Sequence, residues 1–83
     1  MNDVKLIKRF FQLEIKDIAY FKFILESYEG IAMQRTLNAK RGEIEVMVPD
    51  CNMSIFNDIL NNVRAEMDIR EIKKPVDYLE LVI

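Results

Sequence analysis

Cys51 is the only thiol in an 83-residue chain that holds no histidine, 12 basic and 14 acidic residues. A cysteine nucleophile needs a base or a positive neighbourhood to form its thiolate. Asp50 stands next to Cys51 and no imidazole exists to take its proton, so the residue reads as a small apolar filler. One cysteine without histidine also lacks the soft ligands of a zinc or iron centre, and the carboxylates show no calcium-loop spacing. No metal or other cofactor is therefore expected. Nor does any base, nucleophile and oxyanion-binding group come together in the sequence, and the chain is not expected to be an enzyme.

Arg35 is the more informative charge, because the strand pattern around it places it on a core face, among Met33, Leu37, Ile44 and Val46. A guanidinium there must reach a carboxylate, the wet rim or an anion. A rim position is expected, in which case replacement by Met would be near neutral. An anionic ligand held jointly by Arg9 and Arg35 is the functional alternative. Phe23 and Tyr20 project away from the apolar stripe of their helix and could anchor a protein partner.

The elements that position these residues follow from periodicity. Residues 17–30 form the clearest amphipathic helix, with Ile18, Phe21, Ile24, Leu25 and Tyr28 on one face; Asp17 can cap its start and Gly30 can end it. Before it, residues 6–15 alternate as a strand, with Ile7, Arg9, Phe11, Leu13 and Ile15 on the core side and Lys8, Phe10, Gln12 and Glu14 on the other. After it, residues 31–37 and 43–48 flank a loop at 39–42 and read as a hairpin. Pairing Asn38 with Glu43 sets Leu37, Arg35 and Met33 opposite Ile44, Val46 and Val48, which leaves Gln34, Thr36, Glu45 and Met47 on the open face.

Pro49 ends the hairpin, and Asp50 or Asn52 can cap a second helix that carries Phe56, Ile59, Leu60, Val63 and Met67. Residues 69–73 and 78–83 are both strand-like. Either the first is the fourth strand and the second an extra one, or the second is itself the fourth. The expected fold is α+β, a ferredoxin-like βαββαβ domain spanning 1–83, with an antiparallel sheet, two helices on one face and the other face bare. The bare face would show Phe10 and Met47 among polar neighbours.

The run Asp-Ile-Ala-Tyr-Phe-Lys-Phe-Ile-Leu-Glu-Ser-Tyr-Glu-Gly-Ile-Ala from Asp17 to Ala32, followed by Asn38 to Gly42 and by Val-Met-Val-Pro at Val46 to Pro49, resembles a family of short uncharacterised bacterial proteins. That resemblance implies no particular activity. In its order of elements the chain is also similar to ACT-type domains, which would imply a regulatory domain that binds a small metabolite. Net charge of −2 and a sequence pI near 5.1 exclude strong attraction to nucleic acid or to anionic membranes. An RNA-recognition face would need aromatic and basic groups where Glu43 and Glu45 stand. With one cysteine and no apolar run of membrane-spanning length, the expected location is cytoplasmic. The function expected is a self-associating protein-interaction module, a homodimer joined by the apolar 78–83 segment or by the bare sheet face.

Overall fold

The computed structural model describes residues 4–82. Two-sided alternation makes β1 (Leu6–Leu13) a central strand, paired antiparallel with β3 (Glu43–Pro49) on one side and β4 (Ile69–Ile72) on the other. β2 (Met33–Asn38) joins β3, giving the order β2-β3-β1-β4. Helices α1 (Ile15–Glu26) and α2 (Met53–Val63) are the two crossovers, and both pack on one face of the sheet. The architecture is the expected ferredoxin-like βαββαβ arrangement. Between the layers lie Phe11, Phe21, Leu25, Ile44, Val46, Val48, Phe56 and Leu60, all fully buried. At about 1.5–3 kcal/mol for each such side chain, this layer is the main source of stability.

The helix boundaries move from those expected. Strand β1 stops at Leu13, so Ile15 opens α1 and lies exposed rather than extending the strand. Asp17 lies within the first turn of the helix rather than at its cap, its N–H bonded to the Glu14 carbonyl at 2.9 Å. α1 ends at Glu26, where the Ser27 hydroxyl donates to the Ile24 carbonyl at 2.6 Å. Glu29 and Gly30 then take positive φ in the turn that follows, and Tyr28 falls outside the helix and is exposed. A single 3-10 turn, Asp50–Asn52, leads into α2, which buries Phe56, Ile59, Leu60 and Val63; Met67 is buried as expected but lies beyond the helix, which ends at Val63. Asn52 ties that turn down by donating to the Gly30 and Ile31 carbonyls at 3.1 and 3.3 Å instead of capping the helix.

The hairpin keeps its predicted loop and its Asn38 to Glu43 pair, but a bulge at Leu37 reverses the faces beyond it. Thr36 pairs with Ile44, Arg35 with Glu45, Gln34 with Val46 and Met33 with Met47. Arg35 and Met33 therefore lie on the open face, while Gln34 turns inward and donates to the Ile18 carbonyl of α1 at 3.2 Å. The apolar match that favoured the other register would have buried a guanidinium among aliphatic groups; the bulge gives it a carboxylate instead.

Residues 69–72 are the fourth strand, and the segment expected as a further strand is a helix, α3 (Tyr78–Val82). Ile83 lies outside the described residues. Tyr78, Leu81 and Val82 share one helical face, which rests on Phe10, Leu37 and Ile72. A second, smaller core thus forms on the sheet face expected to be bare. With β4 already filling the sheet edge, the segment packs Tyr78, Leu81 and Val82 on the face without needing an edge partner and leaves Leu79 exposed. Among the described residues no helix is long and apolar enough to cross a membrane.

Candidate functional site

Three of the residues singled out by sequence, Phe10, Arg35 and Met47, share the open face with α3 across part of it. At the centre of that face is Glu45, a β3 carboxylate with no exposed surface. A buried carboxylate is tolerated only when it is paired and hydrogen-bonded. Here the Arg35 Nη2 donates to its Oε1 at 2.8 Å, the Tyr78 hydroxyl donates to its Oε2, and the Lys8 ammonium stands 3.9 Å from Oε2. Lys8 and Arg35 also donate to the Tyr78 oxygen, at 2.9 and 3.2 Å. The hydrogen bond to Tyr78 and the charge of Glu45 raise the Lys8 ammonium above its ordinary pKa.

Phe10 meets the Tyr78 ring edge-on at 5.7 Å between centroids, and Arg41 bridges Glu43 at 2.9 Å and both Asp77 oxygens at 3.1 and 3.2 Å. The polar groups are thus engaged in fastening α3 to the sheet. Because its partner is buried while the Arg35 side chain is 45% exposed, Arg35→Met is expected to lose about 1–2 kcal/mol rather than be neutral. Urea denaturation checks this, and an unchanged midpoint would show that Lys8 and Tyr78 suffice for Glu45.

Arg9 faces the opposite side of the sheet. Its Nε and Nη2 hold both Glu71 oxygens at 2.8 Å, its Nη1 reaches Asn57 Oδ1 at 2.6 Å, and its guanidinium lies 5.3–5.4 Å from the Phe11 and Phe56 rings. It clamps β1, β4 and α2 together. Arg9 and Arg35 therefore do not converge, and the alternative of an anion held jointly by the two has no common site. The Arg9 hydrogen bonds, aided by the charges of Arg9 and Arg64, hold the Glu71 carboxyl below its ordinary pKa against the opposing effect of burial. A depressed folded-state pKa means stabilisation that is complete above the ordinary carboxylate value and is lost as pH falls through the folded one. Acid titration of stability should accordingly fall less steeply for Glu71→Gln than for the native chain below about pH 5.

Tyr20 and Phe23 lie apart from both clusters, on the outward side of α1 at 47% and 67% exposure. They are joined there by Ile15 and Ala19, both exposed. Cys51 is exposed too, not a filler, with its Sγ 3.7 Å from Asn52 Oδ1. Among the described residues no three His, Cys, Asp or Glu side chains gather as a metal site would need. Two of these features were readable in advance. Spacing of Tyr78, Leu81 and Val82 just past Pro75 is helical, and Ile15, Ala19 and Phe23 repeat every four residues. The bulge at Leu37 left no comparable trace.

A family model described as a domain of unknown function, DUF4911, matches residues 11–67. The chain belongs to this family. The matched stretch holds α1, the hairpin, α2, and both Arg35 and Glu45, while Arg9, β4 and α3 with Tyr78 fall outside it. Comparison with curated proteins and with solved structures finds no match.

Proposed function

We propose that this chain is a non-enzymatic interaction module that associates with a second copy of itself. The observation that carries the reading is the outward side of α1, where apolar Ile15, Tyr20 and Phe23 are exposed on an otherwise charged surface. Residues 78–82, expected to pair as an edge strand with a second copy, form α3 instead and cover part of the sheet face expected to be bare. Sedimentation velocity over a wide concentration range tests the reading: a concentration-dependent dimer is expected, and a monomer throughout defeats it.

A second reading is an ACT-like regulatory domain that binds a small metabolite. It is favoured by a cavity of about 150 Å³ beside the β1–α1 turn, lined by Gln12, Leu13, Glu14, Arg41, Asp68 and Arg70. Charges of both signs suit a zwitterion, although Arg41 and Arg70 already bond within the chain. A thermal-shift panel of amino acids and nucleotides decides the matter. Ligand at a hundredfold excess over Kd adds about 2.7 kcal/mol, and a flat panel removes this reading.

A further inference from the structure

We propose that α1 is the self-association surface and that two copies meet there as an antiparallel helix pair about a two-fold axis at Ala19. The inference rests on the self-association reading and adds the surface and its geometry. Ile15, Ala19 and Phe23 stand at four-residue intervals, so they run along one line of the helix, and all three are exposed. The helix's other face is used in the core, through Phe21 and Leu25. α1 is thus apolar on two sides, whereas the outward side of α2 carries Ser54, Asp58, Asn61 and Asn62 beside a single exposed apolar residue, Ile55. Of the two crossover helices, α1 leaves the larger apolar surface exposed.

The order along that line is large, small, large, and it reads the same when reversed about Ala19. An antiparallel pair therefore sets Phe23 of each copy against Ile15 of the other, with the two Ala19 methyls at the axis. A small residue at the crossing lets helix axes approach to about 8 Å, the close end of the usual range. Isologous contact of this kind closes at two copies and leaves no further surface to extend a polymer. The charges fit the same arrangement. Lys16 precedes the axis by three positions on the flank that carries Tyr20 and Phe23, so the pairing brings its ammonium beside the aromatic rings of the second copy. Lys22, on the other flank, lays its aliphatic stem toward Ile15 of that copy.

The area fits a dimer of modest strength. Ile15 is 59% exposed, Tyr20 47% and Phe23 67%. At about 150–250 Å² for each side chain, those fractions leave roughly 260–430 Å² of exposed surface per copy. Two copies, even with the Lys16 and Lys22 stems, stay below the roughly 1,200 Å² at which standard interfaces begin, in the range of weak, transient association. The expected dimer forms and dissociates reversibly with concentration.

Two substitutions at exposed positions test the surface by sedimentation velocity on the full chain, with circular dichroism confirming that each variant is folded. Phe23→Lys should weaken dimerisation at least tenfold. Ala19→Leu is the sharper probe, because it adds apolar surface: general stickiness predicts stronger association, while close packing through Ala19 predicts weaker. Loss of the dimer in both variants is the expected result. A dimer untouched by Phe23→Lys, or strengthened by Ala19→Leu, overturns the α1 surface. In that event Met33→Lys, on the exposed end of the sheet's other face, shows whether self-association proceeds elsewhere. A native chain monomeric at every concentration overturns the surface and the self-association reading together.

Discussion

Gly42→Ala is expected to destabilise the chain by about 3 kcal/mol or more, the amount that backbone strain and a close clash produce together. Gly42 takes φ +68° at the end of the hairpin loop, and its carbonyl accepts from the Leu13 N–H at 2.9 Å. A Cβ there would stand 1.9 Å from the Leu13 carbonyl oxygen, a backbone atom in the central strand that cannot swing aside. Gly30 supplies the control. It has a similar φ of +74° but open space around the Cβ position, so Gly30→Ala should cost only the left-handed penalty of about 1–2 kcal/mol. Denaturant midpoints separate the two, and equal losses would mean that conformation alone, not the contact with Leu13, requires glycine at 42. In a domain of this size each kcal/mol shifts Tm by roughly 4–8 °C. The Gly42 variant should therefore melt more than about 12 °C below the native chain.

Tyr78→Ala carries the second large effect. Tyr78 is the buried anchor of α3, stacked edge-on against Phe10 and bonded to Glu45, Lys8 and Arg35 through its hydroxyl. Removing the ring empties the second core and takes a donor from a carboxylate that has no access to water, at a cost of about 3–5 kcal/mol. Tyr78→Phe keeps the ring and should lose about 1–3 kcal/mol, the penalty for an under-satisfied buried group. Urea denaturation of the pair divides packing from hydrogen bonding. A Phe variant as weak as the Ala variant would assign the whole effect to the hydroxyl. An Ala variant close to native would show that α3 is not held by Tyr78 at all.

Much of this architecture was legible because the relevant patterns are local. The stripe Phe56, Ile59, Leu60, Val63 and Met67 predicts α2, and the alternation around Phe11 predicts the first strand; both are buried as the pattern requires. The loop at 39–42 and the left-handed Gly42 follow from turn chemistry. What failed was governed by partners distant in sequence. Arg35 was assigned to the core by matching aliphatic residues across the hairpin, a criterion blind to the ion pair with Glu45 that a one-residue bulge makes available. Residues 78–82 have strand-forming composition, yet an apolar floor of Phe10, Leu37 and Ile72 rewards helical spacing there. Glu45 was correctly set on the open face, and nothing within its own strand indicates that α3 would bury it.

The strand order has a consequence for how the chain acquires its shape. β1 precedes the other described elements and so leaves the ribosome before them, yet it is central, with β3 on one side and β4 on the other. Its partner Arg70 lies 58 positions from Gln12. During synthesis β1, α1 and the β2–β3 hairpin can assemble into a three-stranded intermediate, leaving the β4-facing side of β1 with unpaired N–H and C=O groups. Strand β4, only four residues long, is thus the segment that seals a vulnerable central edge late. Delayed or impaired pairing there would favour aggregation of the nascent domain over loss of its finished fold.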